Sequence, residues 1–420
     1  NQLDYVNEYS EMNTLTQGLV ETIVLNGIHN TGGKPGLEKM DHLFALMHFS
    51  LNMGVYMDQL GEKIKGSELT ILKNGRLVMP RPIINKLNTY FYHLRELSMN
   101  NTDSYTKLYN LMPTSFINTN DETFVKAYKA QFGISFEKYC NIITASIDYA
   151  ITNKKPVMVL PKEEFFNKVC AGIYDDEEAK AFKANFVLMK DLSNGDLKFS
   201  DKWVQRFNRP VQLTARPWVL FDDNIYYSTK TLYESMMIRV ERLNNGTVIN
   251  TTPEMQAFVS KVNNEKGHEF TLNVRRFYES LSLDFLYVNS EVEIMPGKPL
   301  NAHKKLGDID VLLINQKTKQ IVCIEAKNFS ESRTAYELIQ QNRKIVIKEL
   351  SHVIDRDVWC KSNVDKFKFY VPDVDDQYSI KTIFLTYHEN AYKYFEHEQG
   401  NDIIFLSAIE IVDNPMNVFA

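Results

Sequence analysis

The stretch Gly307–Asn328, GDIDVLLINQKTKQIVCIEAKN, constrains the fold of this chain more than any other. Two apolar runs, 308–315 and 320–327, flank the polar loop QKTK, and both have the length and branching of strands. Apolar residues occupy both alternating faces of each run, the pattern of strands central in a sheet. Charge nonetheless interrupts them, with Asp308 and Asp310 on the first and Glu325 and Lys327 on the second. Desolvating a charge is costly unless it is paired. Four ionisable groups in one apolar hairpin therefore demand a reason.

Placing residues 316–319 in the loop pairs Asn315 with Gln320. Counting back, Asp310 falls opposite Glu325 and Asp308 opposite Lys327. Alternation gives Asp308, Asp310, Leu312 and Ile314 one face of the first strand, and Cys323, Glu325 and Lys327 one face of the second. Directly opposed residues hold their Cβ atoms about 5 Å apart. Two carboxylates that close repel unless a cation lies between them, and hard oxygen donors suit Mg²⁺ or Mn²⁺. A one-residue slip would put Asp310 and Glu325 on opposite faces.

The rest of the chain frames this hairpin. Its 420 residues exceed one ordinary core, so a multidomain α+β protein is expected. Residues 1–200 read as a mainly helical recognition or regulatory domain, with apolar spacing such as Leu43, Leu46, Met47, Leu51 and Val55. Asn74-Gly75 marks a hairpin within it. Residues 201–262 read as a β-hairpin and helix connector, ending in the turn-rich linker NNGTVINTTPE. Residues 263–420 order as helix (266–282), three strands, a long helix (331–351), a strand and a final apolar run, an α/β layer around a mixed central sheet.

Net charge of −5 provides no overall basic field, so nucleic-acid contact must come from local patches. One candidate is Arg206, Arg209 and Arg216 interleaved with Trp203, Phe207 and Trp218. The alternative, core aromatics with solvated arginines, carries more weight there. The four cysteines form no C-x-x-C pair, which argues against zinc and disulfides and suits a reducing cytoplasm. No apolar run approaches about 18 residues, and the polar start is no signal peptide. The chain begins with Asn, which reads as part of a longer protein. HNTGGKPG lacks the spacing of a phosphate-binding loop, and DVDD lacks the Gly and Glu of a calcium loop.

The hairpin, with Asp310 on its first strand and Glu325-Ala326-Lys327 closing its second, resembles the PD-(D/E)xK nuclease superfamily, and its wording is similar to nuclease-related and Mrr-like restriction domains. The resemblance covers the C-terminal region only. It implies a restriction-endonuclease-like core in which Asp310, Glu325 and the Ala326 carbonyl hold a divalent metal, Mg²⁺ or Mn²⁺, and Lys327 polarises water or stabilises phosphorane charge. It also directs attention to Glu269 on the preceding helix, where a first-turn position complementing the helix N-terminus is the competing reading. On the following helix, Gln340, Gln341 and Lys344 are candidates, beside an apolar stripe of Tyr336, Ile339, Val346 and Leu350. Asp308 is auxiliary, pairing with Lys327 or helping to hold a second metal, and Lys304 and Lys305 stand where a loop meets phosphates.

The function expected is therefore a metal-dependent endonuclease, acting on DNA ahead of RNA, in restriction or anti-phage defence. The contrasting expectation is an inactive nuclease-fold subunit that binds nucleic acid or scaffolds a complex. A homodimer or a partner subunit fits either, and no membrane is involved.

Overall fold

The computed structural model describes residues 2–26, 36–61, 70–78, 102–113, 116–171, 175–190, 211–332, 335–395, 397, 400 and 402–420. They fall into two compact units, one of residues 1–55 and 116–263, the other of residues 56–115 and 264–420. The division after residue 263 falls one residue from the expected boundary at 262, whereas none falls at 200, because the segment expected to act as a connector is core to the first unit. Leu232, Leu243, Met255 and Phe258 share a cluster with Phe124 and Tyr139. The expected linker is pinned rather than loose. The Gln131 side-chain carbonyl accepts from the amides of Thr251 and Thr252 at 2.9 and 3.2 Å, and Asn263 donates to the Gly246 carbonyl at 3.3 Å.

The Asn74-Gly75 signal produces the antiparallel pair β1 (Thr70–Ile71) and β2 (Leu77–Val78), with Gly75 at φ +77°. In the first unit, side-chain caps set the helix starts. Asp121, Ser135 and Asp175 accept from the amides of Thr123, Lys138 and Glu178, opening helices Glu122–Phe132, Phe136–Thr152 and Asp176–Phe186. Strands β3 (Val157–Pro161), β4 (Val187–Leu188), β5 (Trp218–Phe221) and β6 (Asn224–Ser228) form a sheet ordered β3-β6-β5-β4. Asp222 and Asp223 turn the β5–β6 hairpin at φ +47° and +60°, a conformation Asp tolerates better than most residues. Trp218 is fully buried and donates to Ser146 Oγ at 3.2 Å, so it is core. Arg216 is buried too, against the expectation of a solvated arginine. Arg206, Arg209, Trp203 and Phe207 lie outside the described residues.

In the second unit, β7 (Leu286–Ile294), β8 (Gly307–Asn315), β9 (Gln320–Lys327), β10 (Ser379–Thr386) and β11 (Ile403–Ser407) form a mixed sheet ordered β11-β10-β9-β8-β7. β7, β8 and β9 pair antiparallel, while β10 runs parallel to β9 and β11. Both faces are covered. Phe270, Val274 and Tyr278 pack on one with Ile324 and Ala326, whereas Cys360, Phe367 and Val371 pack on the other with Leu312 and Cys323.

The β8–β9 register is the one the loop dictates, from Asn315↔Gln320 to Val311↔Ile324. Asn315 holds the turn by accepting from the amides of Lys317 and Thr318 at 3.0 and 3.1 Å. Val311, Leu312, Leu313, Ile314, Ile321, Val322 and Ile324 are essentially fully buried. At roughly 1.5–3 kcal/mol apiece, they offset the several kcal/mol of desolvation for each charge at the strand ends. Among the described residues, no helix is long and apolar enough to cross a membrane.

Candidate active site

The β8–β9 ladder stops at Val311↔Ile324, one residue short of Asp310. Beyond it the Asp310 side chain replaces a backbone partner, with Oδ2 accepting from the Ala326 amide at 2.7 Å. The β7 side opens at the same level. Pairs Ser290↔Val311 and Val292↔Ile309 flank Asp310, and Glu291 between them takes φ +54°. Side-chain alternation reverses across this point. Ile309 packs with Leu312 and Ile314, and on β7 Val292 and Ile294 pack with Tyr287. The common face expected for Asp308 and Asp310 is thus lost at the twist. Asp308 is exposed and opposes Glu293 on β7 rather than Lys327 on β9.

Lys327 instead lies 2.7 Å from Glu325 Oε1, 3.9 Å from Asp310 Oδ2 and 4.0 Å from Glu349 Oε2. The second Glu325 oxygen is bound by Arg356 Nη2. Glu325 is only 8% exposed, and both its oxygens meet cations. Arg356 also donates to the Leu306 carbonyl at 3.4 Å, holding the chain that enters β8. Gly307 permits that approach. Its φ is +96°, and a Cβ there would stand 2.9 Å from Arg356 Nη1.

Glu349 and Arg356 come from the helical segment after β9, which differs from the expected 331–351 helix. It runs as α-helix Ala335–Lys344, a π-helical turn Ile345–Glu349 and α-helix Leu350–Ser362. The wider turn shifts the inward stripe, so Ile345 is buried while Val346, expected inside, is 41% exposed. Ile345 to Leu350 is a five-residue step, one longer than an α-turn allows, and this was the sequence signal for the bulge. The bulge ends at Glu349, placing its carboxylate beside Lys327.

The charges are strongly coupled. Burial, reinforced by Glu325, pushes the Asp310 carboxyl up to about 7, while Lys327 and the Ala326 amide pull it back. Burial works against the Lys327 ammonium, but Glu325 and Asp310 outweigh it and hold the pKa above the usual lysine value. The site therefore keeps a fixed positive charge beside two carboxylates, one of them strained as an anion. Chemically this donor set fits a hard divalent cation, since carboxylate and carbonyl oxygens are its ligands and a cation would relieve the burden on Asp310. Arg356 and Lys327 supply the positive charge that Glu325 meets here. Among the described residues, no cluster of three or more His, Cys, Asp or Glu stands in metal-holding arrangement.

A family model described as anti-phage protein Upx-like matches residues 76–361. The chain belongs to the Upx-like family. No curated protein matches it. The matched span takes in β7, β8 and β9 and every residue of the charge cluster from Asp310 to Arg356.

The remaining candidates of this Upx-like chain spread around the cluster. Gln341 donates to the Ser330 carbonyl at 3.4 Å, and Lys344 lies 4.8 Å over the Phe329 ring, so both contact the segment leaving β9. The buried Gln341 Oε1 has no hydrogen-bond partner among the described residues. Lys304 meets Asp355 at 3.4 Å in an exposed pair, and Lys305 is exposed beside it. Glu269 is not in a first turn, because its helix begins sixteen residues earlier and spans Pro253–Ser280. The helix-end reading of Glu269 falls with that. Its neighbour Phe270 packs on the sheet face of Ile324 and Ala326, opposite the face bearing Glu325.

Proposed function

We propose that this Upx-like protein is a metal-dependent phosphodiesterase of the PD-(D/E)xK type, cutting DNA in preference to RNA as part of anti-phage defence. The observation that carries the reading is the meeting of Asp310, Glu325 and Lys327 at the parted ends of β8 and β9, with Asp310 bonded to the Ala326 amide. The family description supports the defence setting.

In this reading Asp310, Glu325 and the Ala326 carbonyl would hold Mg²⁺ or Mn²⁺. Such an ion would supply an activated water and neutralise a phosphoryl oxygen. Lys327 orients the attacking water and holds a fixed charge where the pentavalent phosphorus gains electron density. Glu349 steadies the Lys327 ammonium from the helical side, and Arg356 positions Glu325. Lys344, Lys304 and Lys305 are proposed to meet the nucleic-acid strand, with Asp308 and Gln341 in auxiliary places.

One observation favours the second reading, a nuclease-fold subunit that binds without cutting. Both Glu325 oxygens are engaged by protein cations, as in a site that no longer needs metal. Incubating the chain with plasmid, linear DNA and RNA, with Mg²⁺ or Mn²⁺ and then with chelator, separates the two. The nuclease reading expects metal-dependent cutting that Asp310→Ala and Lys327→Ala abolish. Robust cutting by both variants overturns the site, and nucleic-acid binding without cutting supports the second reading. Cutting confined to RNA reverses the substrate preference.

A further inference from the structure

The π-helical turn Ile345–Glu349 presents a surface of its own beside the charge cluster. Ile345 is buried, but the extra residue of the wider turn leaves Val346 41% and Ile347 74% exposed. A single apolar side chain on a surface needs no explanation. Two in succession on this turn do, because a regular α-helix carries Val346 inward and π turns recur at functional sites. The same turn ends at Glu349, whose Oε2 lies 4.0 Å from Lys327 Nζ. Ile347 is therefore two residues along the chain from a side chain of the cluster.

Cations frame this apolar tip. Lys344 immediately precedes the turn, Lys348 lies within it, and both are exposed. The Lys344 ammonium rests 4.8 Å over the Phe329 ring, and neither lysine has an ion-pair partner among the described residues. Partial burial of the ammonium lowers the Lys344 pKa; Glu349 resists, while Lys348 and Lys327 lower it further. Three ammonium groups thus share one field, and the carboxylate that favours Lys344 is shared with Lys327. A phosphate backbone carries the complementary charge. Proteins that deform a duplex push an Ile, Leu, Phe or Met side chain between base steps while cations hold the backbone, and an exposed Ile between lysines has that composition.

We propose that the π turn is a contact for duplex DNA, with Lys344 and Lys348 on backbone phosphates and Ile347 entering between base pairs beside the cluster. This rests on the reading of Asp310, Glu325 and Lys327 as a DNA-cutting site, and adds the means by which the duplex is gripped and opened there.

A fluorescein-labelled duplex and a second carrying 2-aminopurine in its TA steps, which unstack easily, test this with the full chain in chelator. Anisotropy follows binding, and the rise in 2-aminopurine emission follows unstacking. Wild type should bind and raise the emission. The double variant Lys344→Ala, Lys348→Ala should bind at least ten-fold more weakly. Its slope of log affinity against log salt should be shallower by about two. Ile347→Ser, at an exposed position, should keep the wild-type slope and melting temperature but lose most of the emission rise. No duplex binding by wild type overturns the proposal, as does binding that the double lysine variant leaves intact or an emission rise that Ile347→Ser leaves intact. Plasmid cleavage in Mn²⁺ reads the underlying assignment separately. Binding and unstacking by a wild type that cuts nothing keep the contact and reject the nuclease reading, whereas cutting without unstacking does the reverse.

Discussion

Asp310→Asn tests whether the β8 carboxyl is strained as an anion. Asn keeps an oxygen to accept from the Ala326 amide, 2.7 Å away in the native chain, and removes only the titrating charge. The folded carboxyl titrates near 7 against an ordinary value of 3.8. A raised carboxyl pKa means the folded state holds its proton more tightly than the unfolded state. Stability attributable to Asp310 is therefore intact below about pH 4 and declines as pH rises through about 7. At about 1.4 kcal/mol per pKa unit, the ceiling on that loss is on the order of 4 kcal/mol, reduced by sharing with Glu325 and Lys327. Urea unfolding of wild type and Asp310→Asn at pH 5 and pH 8, followed by circular dichroism, measures it. The variant should gain stability relative to wild type between those pH values. If the difference between the proteins is the same at both, or favours wild type at pH 8, the strained-anion account fails.

Two substitutions and one thiol-labelling experiment probe the scaffold. Gly307→Ala should destabilise by roughly 1–3 kcal/mol in the same assay, because φ +96° disfavours a side chain and the new Cβ meets Arg356 at 2.9 Å. Arg356→Met removes one of two cations from buried Glu325 and should cost about 3 kcal/mol at pH 8, against near zero for a solvated surface arginine. Cys323 is held protonated by its contact with the Cys360 sulfur and by burial, so it should react with a thiol reagent at pH 8 only after unfolding.

The hairpin was legible because its loop and apolar alternation leave one register in which both strands bury their apolar faces. That register alone brings Asp310, Glu325 and Lys327 within reach of each other. The fate of Asp308 was not legible, since a period-2 reading assumes regular strands. Glu291 at φ +54° and the ladder break at Asp310 reverse the alternation between the two acids. Arg356 and Glu349 were hidden for a related reason. An α-helical wheel places Val346 inside, whereas the π turn adds a residue and rotates Glu349 to Lys327 and Arg356 to Glu325. Likewise, NNGTVINTTPE has linker composition, but Gln131 and Asn263 fix it through contacts remote in sequence. The buried Arg216 and Arg239 depend on aromatic and carbonyl partners that local charge patterning does not reveal.

We propose that the Asp310–Glu325–Lys327 cluster cuts phosphodiester bonds. The most direct test is the rate of supercoiled plasmid cleavage by wild type and Lys327→Ala in Mn²⁺ at pH 8. Wild type should cleave, with chelator silencing it, and the variant should lose at least a hundred-fold, in line with losing a fixed transition-state charge. Equal cleavage by the two proteins would contradict it.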